Sequence, residues 1–174
     1  SNTLGTVNPV NTIVKMVKKH APEARILLDA AQSAPHMPVD FHALKVDFLV
    51  WSGHKMLAPM GIGGLLVKKS LLESGEMHPW LFGGGMISEV SADSANYSDD
   101  LSDLFTAGTP DVASARGLAV ACEYLQTLGM KEVMEHDFSL VEYAYEKLSQ
   151  ISGLTVVGLQ PARDEEGMPN RLGS

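Results

Sequence analysis

A single cysteine in 174 residues leaves no internal disulfide framework, and it fits a reducing, cytoplasmic compartment. No apolar run approaches the roughly 18 residues of a membrane helix, so no membrane partner is expected. Basic residues are the minority, 13 Lys+Arg against 21 Asp+Glu for a formal net charge of -8, and they form no block. That balance argues against nucleic acid or an anionic membrane as the main partner. Internal repeats and low-complexity tracts are absent as well. What is present is ordinary globular composition, 45% hydrophobic and 20% charged. A chain of this length suggests one domain, able to bury about 70% of its unfolded surface. Ser1 opens on a loop, and Asn170 to Ser174 carries no helical stop signal. Both ends read as cuts through a longer polypeptide, so targeting signals are not legible.

Several common site types lack their residues. The histidines (His20, His36, His42, His54, His78, His136) form no pair at metal-ligand spacing, so no metal site is expected. The glycines at 61, 63 and 64 and at 83–85 fit neither nucleotide-loop pattern. No G-x-S-x-G elbow surrounds Ser52, which removes a hydrolase triad. Cys122 sits among Ala119, Val120 and Ala121 on a predicted helix, where a thiol behaves as a small hydrophobe.

Asn8-Pro9 predicts a helix with Asn8 as N-cap; Val10, Ile13, Val14 and Val17 give it an apolar stripe, and it should end before Pro22. Apolar runs at 25–28, 46–51 and 64–67 predict strands buried on both faces. From Gly75 to Asp103 glycine and serine predict a long loop. Thr109-Pro110 predicts the start of a helix, with Thr109 as cap, that stops at Gly129. A second helix is expected over Met130–Ile151 and a last strand over Leu154–Val157. The fold class is α/β, a three-layer α/β/α sandwich.

Three features carry chemistry. Asp29-Ala30-Ala31-Gln32 ends the first predicted strand, and Ser52-Gly53-His54-Lys55 ends the second. Ligands of open α/β sheets gather beyond the carboxyl ends of strands. Gly108-Thr109-Pro110 offers backbone N–H groups and a hydroxyl at a helix start, suited to a phosphate. An amine, an acid, hydroxyls and an imidazole so placed are what pyridoxal 5'-phosphate requires. Its aldehyde condenses with a lysine amine, and its ring nitrogen stays protonated beside a carboxylate. Taken singly, each residue also has a plain reading as a surface charge, a cap or a turn.

The run from Asp29 through His36 to Asp40, with Asp47-Phe48 and Ser52-Gly53-His54-Lys55, closely resembles the class V aminotransferase family of fold type I. Within it, the match is to SUF-type cysteine desulfurases, also described as selenocysteine lyases. The flanks agree: Ser1 to Thr6, Pro59 to Gly63, Gly83 to Ile87 and Phe105 to Pro110. The resemblance implies that Lys55 binds the cofactor covalently and later moves a proton at the substrate α-carbon. It implies Asp29 on the pyridinium nitrogen, Gln32 on the phenolic oxygen, and Ser52 and His54 on the phosphate. Asn2 would lie near the substrate carboxylate and the cofactor edge. Gly108 and Thr109 would reach the phosphate of the neighbouring subunit, so a homodimer is implied.

The activity so implied converts L-cysteine to L-alanine and passes a persulfide sulfur to an acceptor protein for iron–sulfur cluster assembly. Alternatives are another class V enzyme, a selenocysteine lyase or amino-acid epimerase, or a catalytically silent dimerisation scaffold. Residues 1–158 would form part of the large cofactor-binding domain, and 159–174 the start of a linker to a small domain. The sulfur-accepting cysteine and the substrate-binding arginine of the family would lie beyond this chain. Ala58, Met60, Thr106 and Asp111 stand where the family usually has Gly, Thr, Glu and Asn, which bears on fine specificity.

Overall fold

The computed structural model describes residues 1–173. Helix α1 (Val10–His20) buries Val14 and gathers Lys18, Lys19 and His20 in its last turn, where positive charge meets the carbonyl end of the helix. Its cap differs from expectation. Pro9 is the N-cap, and the Asn8 carbonyl, not its side chain, meets the first turn by accepting from Val10 N–H at 2.8 Å.

Strand β1 (Leu27–Asp29) pairs parallel with β2 (Phe48–Ser52), Leu27 opposite Phe48 and Asp29 opposite Val50. Strand β3 (Gly63–Val67) runs antiparallel on the other side of β2, with Ser52 opposite Gly63. Between β1 and β2 lies the short helix α2 (Phe41–Leu44), capped by the Asp40 carboxylate, which accepts from the His42 and Ala43 amides. Ile26, Leu28, Leu49 and Trp51 pack with Val14, Ala30 and Val46 into one core beneath α1. Within this chain α1 covers one face of the sheet. Alternation along the pleat sends Leu27 and Leu65 to the opposite face, where they are 58% and 53% exposed.

The buried carboxylate of Asp47 ties this unit together. It accepts from Ile26 N–H and from Lys68 Nζ, both at 2.8 Å, with Lys18 Nζ 3.6 Å away. Burial pushes its pKa up, but the Lys68 hydrogen bond, the Ile26 N–H and the two lysine charges outweigh burial and hold it below the ordinary carboxylate value.

After helix α3 (Lys69–Glu73), the segment expected to be loop contains a hairpin, β4 (Ile87–Val90) with β5 (Ala95–Tyr97), and a short helix α4 (Leu101–Leu104). The Ser91 hydroxyl and backbone close the hairpin turn on Asp93 and Ser94. Both strands are exposed throughout, so no apolar face marked them in the sequence.

Helix α5 (Val112–Leu128) starts later than expected: Asp111 is its N-cap, accepting from Ser114 N–H at 3.0 Å, so Thr109 and Pro110 lie ahead of the helix. A carboxylate that reaches the third amide of the helix displaces threonine as the cap. Gly129 (φ 85°) ends α5, and α6 (Met130–Ser149) follows.

The expected strand at 154–157 does not form, because no described edge pairs with it; Leu154 and Val157 are exposed. Instead residues 159–172 fold back. Leu172 joins Met134 and Phe138 in a second core, its amide donating to Gly5 O at 3.0 Å, and Arg171 bridges Thr6. A Cβ on Gly5 (φ 68°) would lie 2.1 Å from the Leu172 carbonyl oxygen, so only glycine permits this approach. Cys122, expected to act as a small hydrophobe, is half-buried on α5. Among the described residues no helix is long and apolar enough to cross a membrane.

Candidate active site

Because β1 and β2 are parallel neighbours, their carboxyl ends open on the same edge of the sheet. Asp29 ends β1 opposite Val50, and Ser52 ends β2 two residues further on, so both lie on the same face of the sheet. The Asp29 Oδ1 accepts from the Ala31 amide at 2.9 Å, which orients the carboxylate. Ala30, fully buried, donates its N–H to Val50 O at 2.8 Å and pins the start of the following loop to β2. Gln32 sits half-buried within that loop.

Lys55 is carried by a 3-10 turn, Gly53–Met56, that follows β2 directly. Gly53 is the buried pivot of this turn. Its N–H donates to Ile62 O at 2.8 Å and its carbonyl accepts from Ala58 N–H at 3.0 Å. A Cβ there would lie 2.7 Å from the Ile62 side chain. Leu57 closes the turn in the left-handed conformation (φ 66°), an uncommon posture for a leucine and a local store of strain. His54 is exposed and Lys55 half-buried. Ser52 occupies the N-cap position of the turn without using its hydroxyl as a cap. Helix α5 braces the segment that follows: Gly117 lies so near the Pro59 ring that a Cβ would come within 2.7 Å of it.

The backbone therefore brings Asp29, Gln32, Ser52, His54 and Lys55 to one sheet edge. The other expected contributors belong to different segments. Asn2 lies exposed in a turn at the start of the chain. Gly108 (φ 83°) donates its N–H to Gly84 O at 2.9 Å, which ties the Thr109 segment to the glycine run at 83–85.

One pairing has no sequence signal. His36 Nδ1 meets Asp137 Oδ2 at 2.5 Å across 101 residues of chain. His36 is visible in its motif, but nothing local marks Asp137 as its partner.

A family model described as aminotransferase class-V matches residues 1–170. The chain belongs to this family. It is 43% identical over 166 residues to a protein named probable cysteine desulfurase from Streptomyces coelicolor, covering 95% of this chain and 38% of that protein. Among solved structures it is similar to the cysteine desulfurase CsdA from Escherichia coli, with TM-score 0.79 and 35% identity over 88% of this chain and 37% of the other. It is also similar to a C-DES variant with glycine covalently linked to the PLP cofactor, with TM-score 0.73 and 27% identity over 86% of this chain and 39% of the other. The fold is thus part of the fold-type I large domain. The chain spans 38% of the length of the curated relative from Streptomyces coelicolor.

Proposed function

We propose that the full-length protein is a pyridoxal-phosphate-dependent cysteine desulfurase, with Lys55, Asp29, Gln32, Ser52 and His54 forming its cofactor site. The observation that carries this reading is the parallel register of β1 and β2, which sets Asp29 and the Ser52-to-Lys55 segment at one edge. The donor set fits the cofactor: an oriented carboxylate, an amide, an uncommitted hydroxyl, an imidazole and an amine on a rigid turn.

When bound, the cofactor supplies an electron sink for the pair released at the substrate α-carbon. The protein's part is positional and protonic. The Asp29 carboxylate, held by the Ala31 amide, is suited to keeping a ring nitrogen protonated. Gln32 would donate from its amide to the phenolic oxygen. The Ser52 hydroxyl and the His54 ring would hold the phosphate. Lys55 would attach the cofactor through its amine, which must shed its proton to attack, and would then move a proton at the substrate α-carbon. Clamping of the turn by Gly53 and Leu57 lowers the ordering needed to aim that amine.

Names borne by relatives support L-cysteine as substrate. The reading extends to a homodimer in which Gly108 and Thr109 reach the phosphate of the other subunit, with Asn2 near the substrate carboxylate. It also takes in a sulfur-acceptor protein serving iron–sulfur assembly, and a cytoplasmic setting. Residues 1–158 are assigned to the large domain and 159–174 to the start of the linker, whose Leu172 docks back on Met134 and Phe138 of α6.

The test uses the full-length protein. It should carry a visible absorption band that borohydride abolishes, with the reduced adduct mapped to Lys55, and should release alanine from L-cysteine. Lys55→Ala should lower turnover by about 10³-fold or more. Absence of the band, or an adduct on another lysine, overturns the assignment.

A further inference from the structure

The loop between β1 and α2 is anchored at both ends, to different parts of the molecule. At its start Ala30 is fully buried in the core beneath α1 and bonded to Val50 O. At its far end Met37 packs on Met134, Phe138 and Leu172 in the second core, and His36 meets Asp137. Met134, Asp137 and Phe138 are spaced to share one face of α6, so that a single helix face receives both His36 and Met37. With the Asp137 carboxylate oxygen as acceptor, the His36 ring donates from Nδ1.

Short-range bonds stiffen the intervening residues. Asp29 Oδ1 accepts from Ala31 N–H, Ala30 O from Ala34 N–H, and Ser33 O from both the His36 and Met37 amides. Gln32 lies between the two anchors, inside this run of consecutive turns. A shift at His36 therefore passes to Gln32 before it reaches Asp29, whose own position is held by the β1–β2 ladder.

We propose that the His36–Asp137 pair is a positioning device, which uses α6 to set the Gln32 amide against the cofactor's phenolic oxygen. This rests on the cofactor assignment above. The pair is half-buried, 31% and 22% exposed in its side chains, which suits a charge-assisted hydrogen bond of more than surface strength.

The experiment compares His36→Ala, His36→Asn, Gln32→Ala and the His36→Ala/Gln32→Ala double variant of the full-length holoprotein. The readouts are the position of the cofactor absorption band and the cofactor dissociation constant. His36→Ala should move the band in the same direction as Gln32→Ala and weaken cofactor binding roughly tenfold, the size of one charge-assisted hydrogen bond. The double variant should match Gln32→Ala alone, because one residue acts through the other. His36→Asn, which keeps a donor near the ring nitrogen, should restore the parental band. Independently of cofactor, amide exchange at Ala34, His36 and Met37 should accelerate in the His36→Ala apoprotein. Additive band shifts, an unmoved band in His36→Ala, or failure of His36→Asn to restore it each overturn the proposal. A parental protein without any band overturns the cofactor assignment instead, and accelerated exchange would still be measurable in that case.

Discussion

The β1–β2–β3 unit and the β4–β5 hairpin are both made of strands of three to five residues, yet they are held in different ways. The first rests on a core in which Ala30 and Val46 are wholly buried, with a paired carboxylate, Asp47, stitched into it. The second exposes every residue of both strands and is pinned at its base by Met86, which is fully buried and accepts from Ser98 N–H at 2.8 Å. Ladder bonds alone are marginal in water. On the proposed function, a strand end that presents an amine and a carboxylate in constant geometry belongs on the unit with a core, where local opening costs the most.

Breaking the first unit should have the largest effect. Gly64→Val would put a Cβ within about 2.1 Å of the Trp51 ring, displacing the indole from the core beneath α1. We expect a loss of about 3 kcal/mol in global stability by denaturant unfolding. Met86→Ala should cost about 2–3 kcal/mol, but the damage should stay in the hairpin. Limited proteolysis should then cut at 76–108 while the exchange protection of β2 persists; equal loosening of both units would show that they unfold as one.

Asp47→Ala should cost about 2 kcal/mol, chiefly by leaving the Ile26 amide without its acceptor. The same residue sharpens the contrast through pH. Its pKa is lowered in the folded state, so its contribution is present above the unfolded carboxylate value and is lost as pH falls through the folded one. Acid should weaken the sheet unit progressively as pH falls from the ordinary carboxylate value to the lowered folded one, and Asp47→Asn should flatten that limb of the pH–stability curve. Trp80→Ser, at a side chain 91% exposed, should change stability by no more than about 0.5 kcal/mol. A larger loss would mean that the hairpin region carries packing of its own.

Legibility followed the same division. The strand ends at Asp29 and Ser52 stand out because apolar runs stop there on polar residues, α1 follows from its apolar stripe and α5 ends on a glycine. The hairpin was hidden because two strands without a buried face show no apolar alternation. The α5 cap lies two residues beyond Thr109 because Thr109-Pro110 and Asp111 are both sound starts, and backbone reach, not residue type, selects between them.

Local order along the chain was enough to say that an aspartate ends one apolar run and that Ser-Gly-His-Lys ends another, since strand and turn preferences act over a few neighbouring residues. It could not say that the two runs lie side by side and parallel, or that His36 finds Asp137 on α6. Those outcomes depend on which distant segments bury apolar surface together, and such pairings are decided when the whole chain collapses, not by the residues on either side.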